Sequence, residues 1–99
     1  MAKKKIVWSH KARMKLYEIM EFYTNRNRTP TYSAKLYRLF VRNIKLLLKH
    51  PELGIKTSVD GVRGLIVSEY IIFYEFIDDG IVIHTLWPTK QNPNDLVIK

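Results

Sequence analysis

The chain has no cysteine, which excludes disulfide staples and thiolate metal sites. It also lacks any apolar stretch near the roughly 20 residues that a membrane-spanning helix needs. The apolar run Tyr70 to Tyr74 is bracketed by Glu69 and Glu75. No signal-type apolar segment follows the basic start "MAKKK", so a cytoplasmic location and no membrane association are expected. The four glycines and four prolines stand singly between periodic segments, which argues against a linker, a repeat array and a second domain.

Acidic residues are scarce in one half of the chain. Residues 1–50 carry thirteen Lys/Arg against Glu18 and Glu21, whereas residues 51–99 carry four against seven acids, and the total formal charge is +8. The basic half calls for an anionic partner: nucleic acid, an acidic protein segment or an anionic surface. What remains, 99 residues at 46% hydrophobic content, suits one small domain spanning 1–99.

Periodicity divides the chain into a helical and a stranded half. "KKIVWS" predicts a short strand, Lys5 to Trp8, with Ser9 as the N-cap of a first helix that ends near Asn25 to Asn27. Its apolar residues Ala12, Leu16, Ile19, Met20 and Tyr23 recur at helical spacing. After "NRTPT", Thr31 or Ser33 opens a second helix, which Pro51 and Gly54 end. Ala34, Tyr37, Phe40, Val41, Ile44, Leu47 and Leu48 form its predicted apolar stripe. The helix tyrosines Tyr17, Tyr23 and Tyr37 are expected in the packing seams.

Beyond Gly54 the period falls to two. "VRGLIV", "YIIFYEFI" and "IVIHTLW" predict strands Val62 to Val67, Tyr70 to Ile77 and Ile81 to Trp87, the last two joined by the hairpin signal "DDG". The expected fold is α+β: an N-terminal strand, then an antiparallel helical hairpin packed on one face of a twisted antiparallel sheet.

Several phrases in this order resemble the RelE/ParE superfamily of type II toxin–antitoxin toxins: "HPELG" after the second helix, "VRGL", "EYIIFYEF" followed by "DDGIVI", and "LWPTKQNP". The resemblance runs from about Ile6 to Leu96. It implies a toxin neutralised by a cognate antitoxin. It also implies one of two targets, because RelE-like members cut mRNA on the ribosome and ParE-like members stall DNA gyrase without being nucleases. Neither branch implies a cofactor or a metal. The arginine that RNase members carry after the middle-strand tyrosine is here Ile71. The arginine after their last strand corresponds to Lys90, and the tail tyrosine of some members falls near Leu96.

If the chain is an RNase, Lys90 and Arg63 are its candidate catalytic cations, because a 2′-hydroxyl attack needs positive charge around the phosphorane. A lysine keeps the charge at position 90 without arginine's bidentate fork. Arg63 reads equally as a solvated strand cation or as a structural ion pair with Asp60 or Glu69. Candidate contacts to nucleic acid or a partner are Lys56, Tyr70, Trp87, Gln91 and the line Lys35, Arg38, Arg42, Lys45 and Lys49 on the second helix. Packing competes with stacking as the explanation for Tyr70 and Trp87. His84 reads as a strand packing residue more readily than as an acid or base, and no histidine has metal-site spacing. A basic RNA-binding or inactive toxin-like module is the alternative function. The oligomeric state is open.

Overall fold

The computed structural model describes residues 5–90. In chain order it contains β1 (Ile6–Trp8), α1 (His10–Asn27), α2 (Thr31–Leu46), β2 (Ile55–Lys56), β3 (Val62–Val67), β4 (Tyr70–Ile77) and β5 (Gly80–Pro88). One five-stranded sheet has the order β1-β5-β4-β3-β2. The pairs β2–β3, β3–β4 and β4–β5 are antiparallel, as the meander requires. β1 enters parallel to β5, with Ile6 opposite Ile81 and Trp8 opposite Ile83, so the sheet is mixed. The reason is topological: a parallel neighbour needs a long crossover, and the helical hairpin lies in the chain between β1 and the other strands.

Ser9 joins the two halves. Its hydroxyl accepts the Ala12 N–H at 3.0 Å as a helix cap and donates to the His84 carbonyl at 2.9 Å. That carbonyl belongs to a bulge in β5, where the register passes from Phe73 opposite Thr85 to Tyr74 opposite Ile83. α1 ends at Arg28, which takes a left-handed conformation with φ 57°.

The second helix departs from expectation at both ends. Pro30 occupies its cap position without a side-chain cap bond. Ser33 is buried instead, donating to the Met20 carbonyl at 2.7 Å and meeting the Thr24 hydroxyl at 2.8 Å, so it clasps the two helices together. The helix stops at Leu46, before Pro51, and then tightens through bonds from Leu47 N to Ile44 O and Leu48 N to Lys45 O. The tighter turn keeps Leu47 fully buried. The buried line of α2 is Ser33, Leu36, Phe40 and Ile44. Ala34 and Tyr37 fall off this line and are exposed, and Tyr17 on α1 is exposed as well.

The main core lies between the helices and the sheet, where Leu16, Phe40 and Ile44 meet Tyr70, Ile72, Tyr74, Ile83 and Leu86. Alternation along β4 sends Ile71 and Phe73 to the opposite face, where they cluster with Val62, Trp87 and Val59. Among the described residues no helix is long and apolar enough to cross a membrane.

Candidate functional site

Arg63 sits in β3 opposite Lys56 and Tyr74. Its Nη1 donates to the Gly54 carbonyl at 2.8 Å and leans toward the Glu52 carbonyl at 3.5 Å. The guanidinium thus braces the loop after α2, and its partners are backbone oxygens, not Asp60 or Glu69. Tyr74 reinforces the same loop: its hydroxyl accepts the Gly54 N–H and donates to the Pro51 carbonyl, both at 2.8 Å. Burial raises the Tyr74 titration above the usual tyrosine value, against the lowering effects of the Gly54 N–H and the Arg63 charge.

Lys90 lies at the other end of the sheet. β5 ends at Pro88, and the Thr89 N–H reaches the Glu69 carbonyl at 2.8 Å, which places exposed Lys90 beside a cleft of about 160 Å³ lined also by Tyr23, Glu69 and Tyr70. Arg63 is level with Tyr74, and Pro88 is level with Tyr70. Four residues of strand separate the two levels, about 13 Å at roughly 3.3 Å per residue. The two candidate catalytic cations are therefore not brought to one centre. Ile71, at the position of the expected arginine, is packed in the apolar cluster with Phe73 and Trp87.

Both candidate stacking rings are engaged in packing. Tyr70 meets Phe40 edge-on at 5.8 Å and donates its hydroxyl to that of Tyr23 at 3.2 Å. Trp87 is 6% exposed and meets Phe73 edge-on at 5.2 Å. Lys56 is exposed on the edge strand β2, Lys35, Arg38, Arg42 and Lys45 are exposed along α2, and Lys49 is exposed in the turn after it. Gln91, and Leu96 at the tail-tyrosine position, lie outside the described residues.

Burial first, then the Tyr23 hydroxyl, pushes the Tyr70 titration well above the usual tyrosine value of 10.0. The unfolded chain releases this proton near the ordinary value, while the folded protein holds it. The stabilisation is therefore complete below pH about 10 and is lost as pH rises from there toward the folded value. Thermal melts between pH 9 and 11 should show the midpoint falling, with a shallower fall for Tyr70→Phe; equal slopes would contradict a buried neutral phenol.

One polar pair is not apparent from linear order. His84 Nε2 lies 2.9 Å from Glu75 Oε1, both side chains half-buried on the sheet face away from the helices. Alternation places Glu75 on that face, but only the bulge at residue 84 turns the imidazole toward it. The adjacent Thr85 hydroxyl is buried without a hydrogen-bond partner among the described residues. This pair has acid–base chemistry.

Residues 6–93 match the model of the family described as ParE toxin of type II toxin–antitoxin system, parDE. Among solved structures, a chain of the chromosomal ParDE TA system from P. aeruginosa superposes with a TM-score of 0.73 at 21% sequence identity. The match covers 86% of this chain and 95% of that one, and at such identity it speaks for the fold. Among curated proteins nothing matches the sequence. With the family pattern running through β1, the helical hairpin and the whole meander, the chain belongs to the ParE toxin family of type II toxin–antitoxin systems.

Proposed function

We propose that the protein is a cytoplasmic growth inhibitor that acts on DNA gyrase, as the ParE-like branch does, and is silenced by a cognate antitoxin. The observation that carries this reading is the dispersal of the phosphate-handling groups. Arg63 is committed to backbone carbonyls, position 71 is apolar and packed, and Lys90 follows Pro88, whose level is about 13 Å along the sheet from that of Arg63 by strand rise. Stabilising a phosphorane needs preorganised cations converging on one point. Inhibition by binding needs only a surface, and a 99-residue basic domain supplies one.

Purified protein added to gyrase, ATP and relaxed plasmid should abolish supercoiling and accumulate cleaved DNA complexes. Unchanged supercoiling with no cleavage complex would refute the reading. The His84–Glu75 pair favours a second one, ribosome-dependent mRNA cleavage, in which that pair moves the protons. New 5′ ends in primer extension on translating ribosomes, lost in His84→Ala, would select it. Harmless expression without antitoxin would point to an inactive RNA-binding module.

A further inference from the structure

We propose that the outer face of α2 is a docking surface for the phosphate backbone of duplex DNA. Lys35, Arg38, Arg42 and Lys45 recur at steps of three and four residues, which confines them to about 80° of the helix circumference at 3.6 residues per turn. Lys49 lies three residues beyond the last helical residue, in the tightened turn, and extends the line at its C-terminal end. The arc is diametrically opposite the buried line of Ser33, Leu36, Phe40 and Ile44, so the core holds the rod while the cations face outward.

All five side chains are exposed, and none forms an ion pair or hydrogen bond with the described residues. The segment from Lys35 to Lys49 contains no Asp or Glu. A face kept only for solubility ordinarily mixes signs, and mutual repulsion along an unmixed line has no counterweight here.

The composition of this face distinguishes phosphate from an acidic peptide. Protein partners are held by buried aromatic or aliphatic anchors, with charges at the rim. Here the arc itself is cationic, and the exposed Leu46 and Tyr37 lie outside it. Neighbouring cations stand about 5–6 Å apart, so the line covers about 20 Å of duplex at 1.5 Å rise per residue. Arg38 and Arg42 at its middle can grip phosphate with two parallel N–H bonds. No amide side chain reads base edges from the line: Asn43 is off it and donates to the Leu39 carbonyl at 2.8 Å. The expected binding is therefore indifferent to sequence. The surface depends on the gyrase reading only for its physiological source of DNA, the segment held by that enzyme.

The test is fluorescence anisotropy of a labelled mixed-sequence 20-base-pair duplex with the purified full chain, titrated from 50 to 200 mM salt. Five neutralised phosphates predict a slope of log K against log salt of about −4.5 and a loss of about 500-fold across that range. The triple variant Arg38→Gln, Arg42→Gln, Lys45→Gln should lose about 2.7 of that slope and at least tenfold in affinity at 50 mM salt. A charge-matched triple on the other helix and its cap, Arg13→Gln, Arg26→Gln, Arg28→Gln, should stay within about twofold of wild type, since it leaves the line's phosphate contacts intact.

Equal losses in the two triples, or a salt slope near zero in the wild type, would overturn the proposal. So would a polyglutamate peptide that displaces the duplex at equal charge concentration, which would assign the face to a protein partner. Wild-type protein that binds duplex through the line yet leaves gyrase untouched would defeat the gyrase reading and keep the surface.

Discussion

Phe40→Ala should lower the unfolding free energy by about 3–5 kcal/mol, the range for emptying an aromatic site in a packed core. Phe40 is 0% exposed and lies where the two layers meet, edge-on to Tyr70 at 5.8 Å and within the cluster of Leu36, Ile44 and Ile72. The neighbours that line the void belong to a helix on one side and a strand on the other, so the site cannot collapse without shifting α2 as a body. A domain of this length holds about 5–15 kcal/mol in total, so the loss takes a large share of it. Urea unfolding followed by tryptophan fluorescence should show the midpoint fall by about a fifth or more with little change in slope. A loss below about 1 kcal/mol would mean that α2 is not anchored through this ring. Under the proposed function, growth inhibition should weaken in parallel, because less of the folded protein is present to act.

The strands were legible because their chemistry is local. Val62–Val67 and Tyr70–Ile77 occur at the boundaries that runs of β-branched and aromatic residues imply. Asp78 and Asp79, at φ 50° and 61°, make the left-handed turn that "DDG" announces. β2 was not legible: two exposed residues, Ile55 and Lys56, show no alternation, and they form a strand only because β3 offers them a partner. The parallel entry of β1 and the bulge at His84 are likewise relations between segments distant in sequence.

The candidate site divides the same way. The four cations within α2 follow from helical period alone, and their exposure agrees with it, whereas Lys49 falls in the turn beyond the helix. The engagement of Arg63 could not be read, because its acceptors are main-chain oxygens of residues 52 and 54, which carry no side-chain signature. Nor could the meeting of Glu75 with His84, since an ordinary register without the bulge would have aimed the imidazole elsewhere. Tyr37 misled for a simpler reason. A tyrosine at the border of a helical stripe is apolar enough to count with the core, yet 46% of it remains in water.

Gly54→Ala should be more damaging than Gly64→Ala, with a cost at or above the upper end of the about 1–3 kcal/mol typical of overpacking. A Cβ at position 54 would meet Tyr74 Cε1 at 2.7 Å, the Tyr74 hydroxyl at 2.8 Å and the Gly64 carbonyl oxygen at 2.8 Å. None of these atoms can yield cheaply. The ring is fully buried and its hydroxyl is already bonded on both sides, and the carbonyl belongs to the backbone of β3. The loop would have to move instead, and with it would go the Gly54 N–H bond to Tyr74 and the Arg63 bond to the Gly54 carbonyl. Each buried polar group left without a partner adds about 1–3 kcal/mol.

Gly64→Ala provides the contrast. Its nearest obstacle, at 2.9 Å, is the Ile71 Cγ2 methyl, followed by the Phe73 ring edge at 3.4 Å, so only side-chain atoms and no backbone oxygen would have to give. Thermal melts should therefore rank Gly54→Ala below Gly64→Ala by roughly 4–8 °C for each kcal/mol of difference. The reverse order would show that the loop after α2 is soft, and that Arg63 is freer to leave its carbonyls than the 2.8 Å bond implies. A released guanidinium at the mouth of that loop would restore one of the cations that RNA cleavage requires, so Gly54→Ala should also be examined by primer extension for new 5′ ends. With the loop clamped as described, none should appear in the wild-type chain, and displacing Arg63 alone should not create them while Lys90 stays at the far end of the sheet.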